Sequence, residues 1–274
     1  MAAPRPPRRR GEGRRSILIA LVSTIVFFGG LSWVVVNAPG WKLVQAGFFD
    51  AKVFQAALPG IVAAFGTNVQ LFLIAEVLIL VLGLLVAVLR SLPGPVFLPV
   101  RILAIVYADV FRALPGVLVI FLLGLGIPGL RLPGLPKDAF FWGLVALTLL
   151  YSAYVSEVYR AGIESIHPSQ TAAARSLGLS QFQALRFVIL PQAVRRVIPP
   201  LLNDFIGLQK DTVLVSFVGV VEIFRTAQIK QSALFNFTPY LGVALVFLVL
   251  TIPLARLTDW LVARDRSRGA RSNA

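Results

Sequence analysis

Apolar residues in this chain fall in long unbroken blocks, without the two-residue alternation of a half-buried strand. A membrane-spanning helix needs about 20 predominantly apolar residues. Six stretches approach that length: residues 16–36, 68–89, 102–127, 140–158, 199–221 and 240–255. The third carries two charges and the fifth carries three, so these two rest on weaker apolarity than the rest. The pattern predicts an all-α integral membrane protein of about six transmembrane helices.

The segments between the blocks have distinct characters. Residues 1–15 are rich in Arg and Pro and lack apolar periodicity, which predicts a disordered basic tail. The block at 16–36 exceeds the roughly 7–15 apolar residues of a cleaved signal peptide, and reads as an uncleaved anchor. Residues 37–60 contain Pro39, Trp41, Phe48, Phe49, Phe54 and Pro59, and read as an interfacial stretch on the outer face, with Trp41 in the aromatic belt. Beyond the last block, Leu257, Trp260 and Leu261 recur at helical spacing near Arg256, Arg264 and Arg266. That is the pattern of an amphipathic end at the inner surface, and residues 263–274 then form a basic tail.

Composition agrees with a membrane protein. Of 274 residues, 57% are hydrophobic and only 14% charged, and the mean hydropathy is +0.83. Soluble domains carry roughly 25% charged residues, so a globular cytosolic enzyme is excluded. There is no cysteine and one histidine, which removes disulfides, thiolate chemistry and a histidine metal cluster. The net charge is +14. With six alternating spans and the N-terminus inside, 18 Lys and Arg fall on the cytoplasmic side and 6 outside, with Arg112 and Lys210 within spans. The excess is therefore topology, with both termini cytoplasmic, and nucleic acid need not be invoked.

The largest cytoplasmic loop, residues 160–196, reads as two short helices. Pro168 suits a first helical turn, Ala172, Ala173 and Ala174 are strong helix formers, and Gly178 fits a C-terminal stop. Ser180 with Gln183 matches a capping box, opening a second helix expected to end near Pro191. Such a small-faced hairpin is either a structured loop packed on its own bundle or a docking element. His167, just before Pro168, reads as a solvated or capping residue, and Glu164 can pair with Arg160 one turn away.

The loop's spacing resembles the EAA loop of permease subunits from ATP-binding-cassette (ABC) importers. That pattern is E-A-A, three residues, G, nine residues, I, one residue, L-P. Here it reads Ala172-Ala173-Ala174, Gly178, Val188, Leu190-Pro191, with Arg175 following the alanines. Ala172 replaces the Glu and Val188 the Ile. Tyr107 to Pro115, Gly66 to Gln70, Glu157 to Arg160 and Gln209 to Thr212 resemble further segments of the polar amino acid branch of that family. The resemblance covers about residues 61–262 and implies a five-helix permease core preceded by one extra helix.

The resemblance also implies partners: two cytosolic ABC ATPase subunits gripping the EAA-type loops, a second permease subunit, and an extracytoplasmic solute-binding protein. It implies the inner membrane of a bacterium, with lipid around the chain. No phosphate-binding loop is present, because none of the five lysines is followed by Ser or Thr. The chain itself then needs no cofactor, and ATP with magnesium belongs to the partner ATPase.

Charges within spans are costly and mark either internal ion pairs or a solute path. Asp109 and Arg112 lie three apart on one face, which predicts a structural pair. Glu76, Lys210 and Asp211 offer an acceptor and a donor for a zwitterionic amino acid, and are candidates for the path. Ion pairing that fixes helix packing stays open for all three. The same charges suit a self-contained secondary transporter or channel, which would not need the basic hairpin.

Overall fold

The structure, a computed structural model, describes the backbone of residues 10–271 and the side chains of residues 15–264. Among the described residues the regular structure is entirely helical. Among the described residues four helices are long and apolar enough to cross a membrane, or up to six if each of two bent helix pairs forms one span. The chain divides into two units after Ala51.

The N-terminal unit holds α1 (Arg10–Val36) and the short α2 (Trp41–Phe48). Every residue from Arg15 to Val36 is exposed within it, as suits a helix that is apolar all round and made for lipid. The hydroxyls of Ser23 and Thr24 both donate to the Ala20 carbonyl, so neither needs an outside partner. The expected unstructured tail at 1–15 is corrected in part: the backbone from Arg10 is already helical, and residues 1–9 lie outside the described residues. The segment expected to be interfacial is also helical, containing α2 and then the start of a long helix, α3 (Ala51–Ser91).

The second unit is built around α7 (Ala139–Glu164), which packs against α4 (Leu98–Ala113), α5 (Gly116–Phe121) and α10 (Leu190–Asp211). Leu71, Ala75 and Ile79 of α3 (Ala51–Ser91) join Ala146, Leu147 and Leu150 of α7 and Leu208 of α10 in the main core. A satellite core joins Ala57 and Ile61 to Ile223 and Ala227 of α11 (Ile223–Leu234) and Val243 of α12 (Thr238–Arg271). The helix α3 starts well before Asn68 and runs through Pro59.

Two of the expected spans are broken. Between α4 and α5 the axis turns by 107°. Pro115 explains the break, because it lacks an N–H and forces Leu114 out of the helical region, to φ −82° and ψ 138°. After α5 the chain widens into a π turn, Leu122–Gly126, and the short α6 (Ile127–Gly129). In the fifth span, α10 gives way to a 3₁₀ stretch, Thr212–Val218, and Gly219 at φ 98° turns the chain into α11, 50° away. Lys210 and Asp211 therefore sit at the end of α10, where it narrows, instead of midway along a regular span. At the C-terminus α12 continues to Arg271, so the amphipathic end is the extension of one long helix. Residues 272–274 of the expected tail lie outside the described residues.

Close approach of α3 to α7 depends on Gly83. A Cβ there would lie 2.7 Å from Val155 Cγ1 and 3.3 Å from the Ser152 carbonyl oxygen. At Gly66, on the same helix, a Cβ would meet nothing within 4 Å. Gly83→Ala is expected to lower the stability of the purified chain by about 1–3 kcal/mol through overpacking. Gly66→Ala is expected to be neutral or to raise it by up to about 1 kcal/mol through helix propensity. Thermal unfolding in detergent checks the pair, and equal effects would contradict the packing described.

Candidate functional site

The loop at 160–196 folds as a helical hairpin. His167 caps α8 (Pro168–Ser176): its Nδ1 accepts from the Ser169 N–H at 3.2 Å. The helix ends in a Schellman turn, in which the Gly178 N–H donates to Arg175 O and the Leu179 N–H to Ala174 O. Gly178 stands at φ 85° with open space around it, so the conformation alone requires glycine. Ser180 and Gln183 form the full capping box that starts α9 (Gln181–Ala184). Arg175 reaches across the turn to the Gln181 side-chain oxygen at 2.8 Å.

The second helix of the hairpin does not end at Pro191. A π turn over Leu185–Ile189 widens the backbone and places Pro191 in the first turn of α10, where its missing N–H is not needed. One nearly continuous helix thus connects the hairpin to the membrane core. The base of the hairpin is fixed by a small core of Ile166, Ile189 and Ala193, with Val188 packed against it. Arg196 adds a hydrogen bond to the Ser165 carbonyl.

The outer surface of the hairpin is open. Ala172, Ala173, Arg175, Gly178, Leu190 and Pro191 are exposed, whereas Ala174 is buried inside. Leu177, Phe182 and Phe187, on the same hairpin, are 84%, 66% and 63% exposed. The EAA spacing does not include these three. Their signal in the sequence is large apolar side chains next to polar or charged residues, as in Ser176-Leu177, Gln181-Phe182-Gln183 and Arg186-Phe187.

Charges at the hairpin end of the helices converge on Glu157. Its Oε2 accepts from Arg90 at 2.7 Å and its Oε1 pairs with Arg160, which also pairs with Glu164. Arg112 approaches Oε2 at 3.8 Å. The expected partnership of Asp109 with Arg112 is corrected: among the described residues no ion pair joins them. Arg112 turns across to α7, where an acidic cluster partner is available, and Asp109 is exposed.

A second polar cluster is buried in the helical core. Asn68 Nδ2 donates to Glu222 Oε2 at 2.9 Å and approaches Thr212 Oγ1 at 3.0 Å, while its Oδ1 accepts from the Ile223 N–H at 3.1 Å. Glu222 caps α11 through the Arg225 N–H at 2.7 Å and is fully buried. Gln209 Oε1 accepts from Thr251 at 3.1 Å. Two of the sequence segments singled out above, around Asn68 and around Gln209 to Thr212, therefore meet here. Glu222 was not among the expected residues. Its only signal is a single carboxylate closing an otherwise apolar run.

The candidate path residues are not joined to one another. Asp211 accepts from the Tyr151 hydroxyl at 2.7 Å, Lys210 is exposed, and Glu76 is half-buried beside the field of Asp204. Among the described residues no ion pair links Glu76, Lys210 and Asp211.

The helices, two of their spans broken, and the capped hairpin belong to a membrane component of a transport system, as the family match shows. Residues 79–267 match the family described as binding-protein-dependent transport system inner membrane component, and the chain belongs to that family. It is 40% identical over 185 residues to the probable glutamine ABC transporter permease protein GlnM of Bacillus subtilis (strain 168), covering 67% of this chain and 83% of that protein. It is 35% identical over 184 residues to the glutamate/aspartate import permease protein GltK of Escherichia coli O157:H7, covering 65% and 81%. Among solved structures, the crystal structure of an amino acid ABC transporter with histidines is similar, with a TM-score of 0.69 and 32% identity over 75% of this chain and 94% of that one.

Removing one partner of the buried cluster should be costly. Asn68→Leu leaves the Glu222 carboxylate without its amide donor, and is expected to lower stability by about 1–3 kcal/mol or more. Glu222→Gln, which keeps the shape and a hydrogen-bonding end, should lose less. Thermal unfolding of the purified chain compares the two, and an Asn68→Leu protein as stable as the parent would contradict the role assigned to this cluster.

Proposed function

We propose that this chain is the permease subunit of an ATP-driven amino acid importer, and that it takes its energy from cytosolic ATPase subunits through the hairpin at 160–196. The observation that carries this reading is the hairpin itself. It is held by its own caps and anchored at its base, and it exposes Ala172, Ala173 and Gly178 together with Leu177, Phe182 and Phe187. Such an apolar patch on a structured loop is a protein-docking surface. The relatives' names, ABC permease and import permease, agree with it. A self-contained secondary transporter would have no use for this surface.

The chain is a multi-pass membrane protein and a non-catalytic subunit. In the proposed assembly it pairs with a second permease subunit, receives solute from an extracytoplasmic binding protein, and leaves ATP and magnesium to the ATPase. Both termini then lie in the cytoplasm of a bacterium, on the side of the hairpin. Glu76, Lys210 and Asp211 are assigned to the solute path. Lys210 supports this by its exposure at the point where α10 ends, and Glu76 by its half-buried carboxylate.

Solubilising the tagged chain from its native membrane should recover a soluble ATPase. Gly178→Asp places a charged side chain at φ 85° on the docking face, and should lose that ATPase while the chain itself still elutes as a folded protein. A well-folded parent that brings down no ATPase would sink the reading. In cells, Lys210→Met and Glu76→Gln are each expected to reduce amino acid uptake about tenfold or more, the scale of one lost charged hydrogen bond. Unchanged uptake in both, at normal expression, would remove them from the path.

A further inference from the structure

An apolar groove of about 240 Å³ lies between α3, α10 and α12. No charged side chain lines it, and so none of Glu76, Lys210 and Asp211 does. The Phe72 and Phe205 rings, packed edge to face with centroids 4.6 Å apart, form part of its wall. Val69 and Leu73 of α3 and Leu250 of α12 also line it and are exposed, so it opens at the surface of two helices long and apolar enough to cross a membrane. Two carboxamides complete the wall. Asn68 is engaged at both ends, on Glu222 and Thr212 and on the Ile223 N–H. Gln209 is only 5% exposed. Its Oε1 accepts from Thr251, but its Nε2 is buried and has no hydrogen-bond partner within the chain. A buried N–H without an acceptor is unfavourable, and among apolar side chains it calls for an acceptor that brings no charge.

Height along α3 narrows the occupant. At 1.5 Å per residue, Leu73 lies about 25 Å along the helix from Arg90, and Phe65, at the other end of the groove, about 37 Å. Arg90 is tied to Glu157 at the hairpin end, where the apolar run of α3 stops. The hydrocarbon core of a bilayer is about 30 Å thick. The groove therefore straddles the far boundary of that core, the level at which acyl chains join their ester carbonyls.

We propose that this groove holds one acyl chain of a diacyl phospholipid from the leaflet opposite the hairpin, with its ester carbonyl accepting from Gln209 Nε2. The carbonyl is uncharged, accepts without donating, and arrives with an apolar chain, which matches one open N–H in an apolar lining. A free amino acid is the wrong occupant, because neither of its charged groups finds a counter-charge. A helix from a second copy brings no free carbonyl, because its backbone is bonded within itself. The bound chain also shields the Asn68 wall, and so keeps water from the Asn68–Glu222 hydrogen bond. The inference rests on the chain's crossing a membrane and not on what it transports.

The full chain, with whatever subunits accompany it, is stripped of lipid by exhaustive detergent exchange. It is then offered dioleoyl phosphatidylethanolamine or its diether analogue, which has the same headgroup and chain length but no ester carbonyl. Lipid retained per chain is counted by mass spectrometry. About one diester lipid is expected to stay, and the diether is expected to bind about fivefold more weakly, the scale of one neutral hydrogen bond. Gln209→Leu should abolish the preference between the two. Val69→Trp, which fills the groove from its exposed rim, should retain neither. Val81→Trp, on an exposed part of α3 outside the groove, should behave as the parent. No retained diester, equal binding of the two probes by the parent, or retention unchanged in Val69→Trp would each overturn the proposal. The comparison of probes needs no substitution, so a misfolded variant does not decide it. The chain has no cysteine, so Leu73→Cys introduces a single thiol at the rim. A disulfide-linked pair of copies after mild oxidation in native membranes would show a second copy covering the groove, and would also overturn the proposal.

Discussion

A chain that crosses hydrocarbon must satisfy its own backbone wherever a helix stops, because no water is there to do so. Asn68 meets that demand at a buried interruption of the helices. Where α10 narrows to a 3₁₀ turn and the chain swings into α11, the Asn68 amide donates to Glu222 and Thr212 and accepts from the Ile223 N–H. One side chain on α3 thus satisfies the Ile223 N–H, which the start of α11 leaves without a helical partner. Glu222 can be fully buried because the Asn68 amide and the α11 N-terminus both face it. Both cores depend on this knot, since Leu208 and Val215 of one and Ile223 of the other flank the same turn.

At the opposite end the organising device is electrostatic. Glu157 gathers arginines from α3, α4 and its own helix, and the hairpin projects from the residues that follow. The hairpin needs little from the bundle to hold its shape. Its caps, its Schellman turn and its capping box are local, and a small core of Ile166, Ile189 and Ala193 with Val188 packs beneath it. A local fold on a charged base suits a surface that must keep its form while neighbouring helices move.

Much of this was legible in the sequence, and the reasons are physical. Hydrophobic block length reads out spans because the bilayer sets that length. Pro168, Gly178, Ser180 and Gln183 read correctly because caps and turns are decided by residues within one helical turn. The errors came where longer range decides. Asp109 and Arg112 share a face, but a guanidinium on a long stem reaches a better partner on α7. Pro191 reads as a terminator until a π turn ahead of it shifts the register. Block length alone does not show that Gly219 turns the fifth span. The buried cluster was visible only in pieces, because Asn68 and Glu222 are 154 residues apart and spacing cannot show that they touch.

The near-continuous helix from the hairpin into the membrane has a mechanical consequence. A force applied at Phe182 enters a rod whose far end is Thr212, held in the Asn68 knot. Partway along, Pro199 and Pro200 delete two consecutive backbone hydrogen bonds, so the rod is least stiff there. A load on the hairpin is then relieved by flexure at the two prolines before it can strain the knot. The outer turn behaves as a fixed anchorage and the inner arm as a hinged crank, with Arg196 and Asp204 on either side of the hinge.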